Sequence, residues 1–323
     1  MRRRFFHIVL SVFCALGTAS AAHAQAYPNK PIKLLVGIAA GGATDVIARL
    51  AAKKLADRMN QPVVVENRAG AGGMLAAEAA AKSPPDGYTL LLGTSSLPSW
   101  RYLYPIRFSP EEDLVAVGGI ASSALVLMTK AAPDAPSVTE FVARARAKPN
   151  SVSFSSSGVG GVSHLATESM LLAAGVQMLH VPYKSSAAGI LDVISGRIDL
   201  GMDGIATALP QIKANALKPL GVTSPARSSF LPDVPTLQEA GIPGYALQAW
   251  LGLFLPAGTP KPIVDTLSAV LHEIASTSSF RDELATFGLE PFPMTSAELS
   301  AKVRSESEGW SRAIPAMKLD SKQ

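Results

Sequence analysis

At 323 residues, 48% hydrophobic and 17% charged, with a mean hydropathy of +0.24, the chain is a folded globular one. That length suits about two domains of ~150 residues each. The net charge of +4 includes Arg2, Arg3 and Arg4 in a segment expected to be removed; without them Lys+Arg fall from 29 to 26 against 25 Asp+Glu. No basic patch or aromatic–basic interleaving accompanies the pI of about 9.1, which excludes nucleic acid as a partner and leaves a mixed solvated surface.

The N-terminus reads as an export leader. "MRRR" is a basic n-region, "FFHIVLSVFCALGTASA" an apolar core, and "AHA" at 22–24 supplies small residues for cleavage. At about 16 residues the apolar run is too short to span a bilayer, which takes about 20. Cleavage after Ala24 or Ala26 makes residues 1–26 a signal peptide and sends a mature, non-embedded chain to the periplasm. "RRRFF" has some twin-arginine character; the general route is the expectation. Cys14, with Phe13 before it, is a poor lipoprotein signal and leaves with the leader, so the mature chain holds no cysteine.

Beyond the leader, short apolar runs alternate with helical patterns, the signature of α/β architecture. Strands are predicted over 32–38, 63–66, 88–93, 115–120, 125–129, 151–155, 177–181, 198–202, 219–223 and 251–255. Helices are predicted over 44–59, 73–82, 138–147, 163–174, 186–195, 207–214, 261–276, 279–287 and 296–312. Capping boxes stand at Ser137/Glu140, Thr236/Glu239 and Thr295/Glu298. Ten strands in one sheet would be unusual, so two sheets are expected. The divisions are a first lobe over 27–122 with a return segment over 250–323, and a second lobe over 123–249.

Most chemical motifs are absent. There is no G-x-x-x-x-G-K-[ST] loop, and "GVGGVS" (158–163) and "GAGGML" (70–75) lack the third glycine of a dinucleotide site. "GTSSL" (93–97) lacks the closing glycine of a nucleophile elbow. His164, His180 and His272 are not spaced as a metal cluster. No cofactor or metal is expected. What remains are strand-to-helix turns of small residues, "GIAAGGATD" and "SSSGVGGVSHLATESM". Their glycines permit tight turns and leave helix N–H groups, including those of 42–45, free for an anion. Both turns lie at strand C-terminal ends, where open α/β sheets place ligands. The plain alternative is that these glycines serve only close packing.

At these residues the sequence resembles a family. "YPNKPIKLLV", "GGATDVIARLAAKKLADRMNQPVVVENRAGAGG", "AAKSPPDGYTLLLGTS", "SHLATE", "HVPYK", "LPDVPTLQEAGIPGY" and "WLGLFLPAGTPKPIVDTL" are similar, in order and spacing, to the extracytoplasmic substrate-binding proteins of tripartite tricarboxylate transporters, the Bug family. The resemblance covers essentially the whole mature chain. It implies a two-lobed Venus-flytrap periplasmic-binding-protein fold, type II-like, in which two loops grip a carboxylate largely through backbone amides and water. By the same resemblance the ligand contacts are Gly41, Gly42, Ala43, Thr44 and Asp45 in the first loop. In the second they are Ser157, Gly158, Gly161, Val162, Ser163 and His164. Ser95 and Ser96 match a third turn, and Asp203 an acidic position after a second-lobe strand. The implied partners are a small carboxylate and membrane permease subunits or a sensor domain, with the receptor itself a monomer.

The chain departs from the family pattern at Ile38, Ala39 and Ala40, where a Phe-Pro-containing run is usual, and at Gly161 and Val162, where Thr-Pro is usual. Ser185 and Gly204 also differ, as does the stretch 97–107 with Trp100, Arg101, Tyr102 and Tyr104. If those aromatics face the cleft, the ligand body is aromatic or apolar; if not, they pack in the first lobe's core. Trp250 is expected in the core, Arg101 on the surface or paired with a distal ligand carboxylate, Lys184 solvated or between the lobes, and His164 in a neutral packing or hydrogen-bonding role. Asp45 serves either the ligand or its own helix. Two other classes are weighed against the receptor: a hydrolase using Ser95 or Ser163 with His164, and a structural envelope protein.

Overall fold

The computed structural model describes residues 27–41, 43–156, 158–183 and 186–317. The leader reading of 1–26, and the readings of Gly42, Ser157, Lys184 and Ser185, lie outside the described residues.

The chain first lays down β1 (Ile32–Val36), α1 (Ala43–Met59), β2 (Val63–Asn67), α2 (Met74–Ala81), β3 (Thr89–Thr94), α3 (Trp100–Leu103) and β4 (Leu114–Ser123). It then forms β5 (Leu125–Lys130), α4 (Val138–Ala147), β6 (Ser153–Ser156), α5 (Val162–Ala174), β7 (Leu179–Pro182), α6 (Ser186–Ser195), β8 (Leu200–Gly204), α7 (Ile205–Lys213) and β9 (Leu217–Val222). Last come β10 (Ala249–Pro256), α8 (Lys261–Ala275), α9 (Ser278–Ala285), β11 (Glu290–Pro291) and α10 (Ser296–Met317).

The strands form two sheets, ordered β11-β4-β10-β3-β1-β2 and β7-β6-β8-β5-β9. The two share one layout. In each, three strands run parallel (β2-β1-β3 and β7-β6-β8), and the next is antiparallel to both its neighbours. That reversed strand is the one by which the chain arrives from the other sheet: β5 follows β4 after Ala124 alone, and β10 follows β9. Two sheets of an α/β class are what the sequence predicts.

Each sheet is packed on both faces, and β1 shows why the run "IKLLV" is nearly all apolar. Leu34 and Val36 pack against Ile47, Ala48 and Ala51 of α1 and Leu267 of α8. Leu35 points the other way, to Ala76 and Ala77 of α2 and to Phe254. Alternate side chains of a strand face opposite sides, so a strand covered by helices on both needs no polar positions. The second sheet repeats this, with Leu125 and Leu127 in one cluster and Val126 and Met128 in another.

Local signals act as expected at the predicted capping boxes. Ser137 N–H donates to Glu140 at 2.7 Å, Thr236 N–H to Glu239 at 2.8 Å and Thr295 N–H to Glu298 at 2.8 Å. The first and third start α4 and α10; the box at Thr236 closes a turn rather than a helix. At Gly119 in β4 a Cβ would lie 2.2 Å from the Phe292 carbonyl oxygen, so the strand following α9 can approach only a glycine. At Gly309 in α10 a Cβ would meet nothing within 4 Å.

These two glycines give opposite expectations. Gly119→Ala is expected to destabilise by about 1–3 kcal/mol through overpacking. Gly309→Ala is expected to stabilise by about 0.5–1 kcal/mol, because a glycine in a helix interior costs backbone entropy and this one has room for a methyl. Thermal midpoints of the mature protein and the two variants check both signs.

Candidate functional site

Three turns of small residues follow strands and lead into helices. After β1 the chain turns through 37–41 ahead of α1. Gly41 is exposed at φ +86°, and a Cβ there would find nothing within 4 Å, so its backbone faces open space. Its N–H donates to Asp45 Oδ2 at 2.9 Å, and Arg49 Nε donates to the same oxygen at 2.9 Å. Asn67 Nδ2 donates to Asp45 Oδ1 at 2.8 Å and to the Ile38 carbonyl at 3.1 Å. The Arg49 guanidinium, then the Gly41 N–H and Asn67, hold the Asp45 carboxyl down at about 2.

Asp45, expected among the ligand contacts, is thus buried with both oxygens turned into the protein. It positions the loop. The first-turn N–H groups of α1, at Ala43, Thr44 and Asp45, have no carbonyl four residues back within the helix.

The turn after β3 leaves the sheet at the same end, because β3 is the parallel neighbour of β1. Ser95 N–H donates to the Trp250 carbonyl at 3.0 Å and Ser96 N–H to Thr94 Oγ1 at 3.4 Å; both serine side chains are half-buried.

The second loop joins β6 to α5, whose N-cap Gly161 supplies no side-chain cap. His164 Nδ1 accepts the Gly160 N–H at 3.0 Å, reaching back from the first turn of α5 to fix the loop above it. Ser156 Oγ contacts the Gly158 N–H and carbonyl, each at 3.2 Å, and lies 2.7 Å from His180 Nε2. The two imidazoles stack with centroids 3.9 Å apart, and Phe154 stacks beyond His180 at 4.9 Å. Burial lowers both histidines to about 4, with the His180 charge as a second cause at His164. A neutral His164 accepting at Nδ1 carries its proton on Nε2, which faces Glu168 Oε1 at 3.8 Å. Burial raises Glu168 to about 7.

Asp203 is half-buried at the end of β8 and accepts the Gly204 N–H at 2.7 Å. Trp100 lies in the first sheet's core, as does Trp250, whose Nε1 donates to Glu306 at 3.0 Å. Arg101 pairs with Glu111 at 3.4 Å. Tyr102 Oη meets Ser307 of α10 at 3.1 Å. Tyr104 is exposed and faces the second loop: a Cβ on Gly160 would lie 2.6 Å from its hydroxyl. Val162 and Ser95 line one cavity of about 240 Å³, so the turn after β3 and the start of α5 meet across it.

The hydrolase alternative has no support in this geometry. His164 spends Nδ1 on the Gly160 amide and turns Nε2 to Glu168, so neither nitrogen is presented to a serine as a base. Sequence patterns assign no role to His180, Glu168, Arg49 or Asn67. Their contacts join residues 16 to 29 positions apart or lie inside a helix, and no spacing motif announces them.

Residues 47–319 match the model of the tripartite tricarboxylate transporter family receptor, TctC. The chain belongs to this family. It is 33% identical to protein BugT of Bordetella pertussis over 95% of each chain. A Rhodopseudomonas palustris protein solved with adipate superposes at TM-score 0.76, with 32% identity over 90% of this chain and 98% of that one. MatC of Rhodopseudomonas palustris with bound malate superposes at TM-score 0.73, with 28% identity over 89% and 100%. TctC receptors are periplasmic solute-binding proteins, and the two-sheet α/β architecture here is theirs. Among the described residues no helix is long and apolar enough to cross a membrane.

The histidine pair makes the fold acid-sensitive in a definite window. Between about 6.5 and 4 the unfolded chain protonates its histidines while the folded one keeps them neutral, so their contribution to stability falls as pH drops through that range. Glu168 acts in the opposite sense: its contribution is full below about 4.5 and is lost as pH rises through about 7. His164→Asn keeps an acceptor near the Gly160 N–H and removes one titration. Its urea midpoint is expected to fall less steeply than wild type between pH 6.5 and 4.

Proposed function

We propose that this receptor captures a small carboxylate between two lobes and delivers it to the permease of a tripartite transporter or to a sensor. The lobes are residues 27–122 with 250–323, and residues 123–249. The carrying observation is that α1 and α5 both begin at glycine-rich turns at strand C-terminal ends, one from each sheet, with α5 lacking a side-chain cap. A helix start favours an anion by about 0.3–1 kcal/mol, up to ~2 when partly buried. Hydrogen bonds to a charged partner add about 1.5–3 kcal/mol each.

In this reading the amides of Gly42, Ala43 and Thr44 from the first lobe and of Ser157 and Val162 from the second meet the anion, Ser163 borders it, and Gly41, Gly158 and Gly161, whose own N–H groups are bonded within the loops, shape the turns that present them. Ser95, Ser96 and Asp203 border the ligand, while Asp45 and His164 hold the loops in shape. The relatives solved with adipate and malate support a carboxylate ligand. The ligand binds the closed arrangement of the lobes more tightly than the open one and so draws the population to it. No catalysis is proposed. Cleavage after Ala24 or Ala26 releases the mature monomer to the periplasm.

Gly41→Val tests the first loop. A β-branched side chain at φ +86° adds strain of about 1–3 kcal/mol and covers the amides behind it. Titration calorimetry with carboxylates that bind wild type is expected to give no heat, with the circular dichroism spectrum unchanged. Retained affinity would remove the first loop from the site. Native mass spectrometry of the periplasmic protein is expected to show a co-purified small acid on a chain shortened by about 24–26 residues.

A further inference from the structure

The cavity of about 240 Å³ beside Ser95 and Val162 is walled on its far side by α10 and by the segment 246–248 that leads into β10. Leu165, Leu247 and Trp310 are its large apolar lining residues, and Ser95, Ser169 and Gln248 its uncharged polar ones. The charged residues in its wall are Lys302 and Glu306, and they neutralise each other at 2.8 Å. Glu306 also accepts the Trp250 indole N–H, so the pair is anchored to the core. A cavity of about 150 Å³ is enough to hold benzene.

A second observation concerns Gly309, on the same wall. It lies inside α10, where glycine is among the least favoured residues, and a Cβ there would meet nothing within 4 Å. Neither a turn nor a close approach calls for it. The missing side chain leaves the cavity open.

We propose that this cavity receives the body of the carboxylate whose head the two loops hold, and that this body is an uncharged, ring-sized apolar group. The inference rests on the receptor reading above and narrows its ligand to cyclic or aryl monocarboxylates. A second carboxylate buried here would find its one cation already paired, and an unpaired buried charge is strongly disfavoured. The ring meets Leu165, Leu247 and the Trp310 indole instead. The discriminating aromatic is therefore Trp310, from the C-terminal helix; Trp100 is spent in the core.

The test uses the mature protein with phenylacetate, butyrate and adipate as probes, followed by calorimetry and thermal shift. Wild type is expected to bind phenylacetate about tenfold or more tighter than butyrate or adipate. Gly309→Phe fills the cavity from its open wall and is expected to weaken phenylacetate by about tenfold while moving butyrate by less than about threefold. Ala313→Phe, on the same wall, repeats the experiment should Gly309→Phe alter the circular dichroism spectrum. Adipate preferred over phenylacetate overturns the inference and leaves the receptor reading standing. Phenylacetate affinity unchanged in the filled variants also overturns it. Failure of wild type to bind any of the three overturns the inference together with the carboxylate reading.

Discussion

A backbone N–H aimed at a ligand cannot also be used inside the protein, and the architecture of this site follows from that constraint. The cations described near the loops are already paired: Arg49 with Asp45, Arg101 with Glu111, Lys302 with Glu306. In the proposed receptor, anion affinity then comes from amides at helix starts, where the helix cannot satisfy its own donors. The loops that carry those amides need side chains to hold them outward. Asp45 does this for the first loop by taking the Gly41 N–H, and His164 does it for the second by taking the Gly160 N–H. Both acceptors sit in the first turn of the helix they serve and reach back four residues. One is a carboxylate held ionised by arginine, the other an imidazole held neutral by burial.

The two sheets make this pairing possible because they are built alike. In both, a strand arriving from the other sheet is inserted antiparallel beside three parallel strands, so the chain crosses between sheets at β4–β5 and again before β10. The helix starts that follow β1 and β6 then hold equivalent places in their sheets. α10 adds a link of another kind. It packs on β4, receives Tyr102 and Trp250 through Ser307 and Glu306, and shares the wall of one cavity with α5. The helix is thus attached to the first sheet and borders the second.

Much of the fold was legible in the sequence, since runs such as "IKLLV" and "LVLMTK" mark strands buried on both faces and the capping boxes mark α4 and α10. The misses have local causes. α3 and the turn before it, 97–103, carry no periodic pattern long enough to register, and the two-residue β11 exists only because Gly119 lets another backbone approach. α10 runs to Met317 rather than 312, past Pro315, a residue type that ordinarily ends a helix. In the site, the small-residue loops were visible because clustered glycines between an apolar run and a helical pattern stand out from both neighbours. The direction of Asp45 was not, because capping and ligand contact demand the same residue at the same place. The His164–His180 stack was invisible for a different reason: it forms between α5 and β7, and nothing in a spacing of 16 predicts contact.

Binding through backbone amides separates two tasks that side-chain recognition would merge. Amides exist at any sequence that adopts the loop, whatever side chains it carries. What must be kept is the loop's shape, and that depends on a few acceptors and on glycines at positive φ such as Gly41, Gly158 and Gly160. In the proposed binding mode the ligand body meets a different set of residues, contributed by α5, α10 and the segment entering β10, of which only α5, through His164, also supports a loop. Changes on those elements alter size and polarity around the body while the carboxylate grip stays intact. A receptor built this way can change its ligand body with one head group held constant, through residues such as Gly309 and Trp310 that lie outside the family-marking stretches.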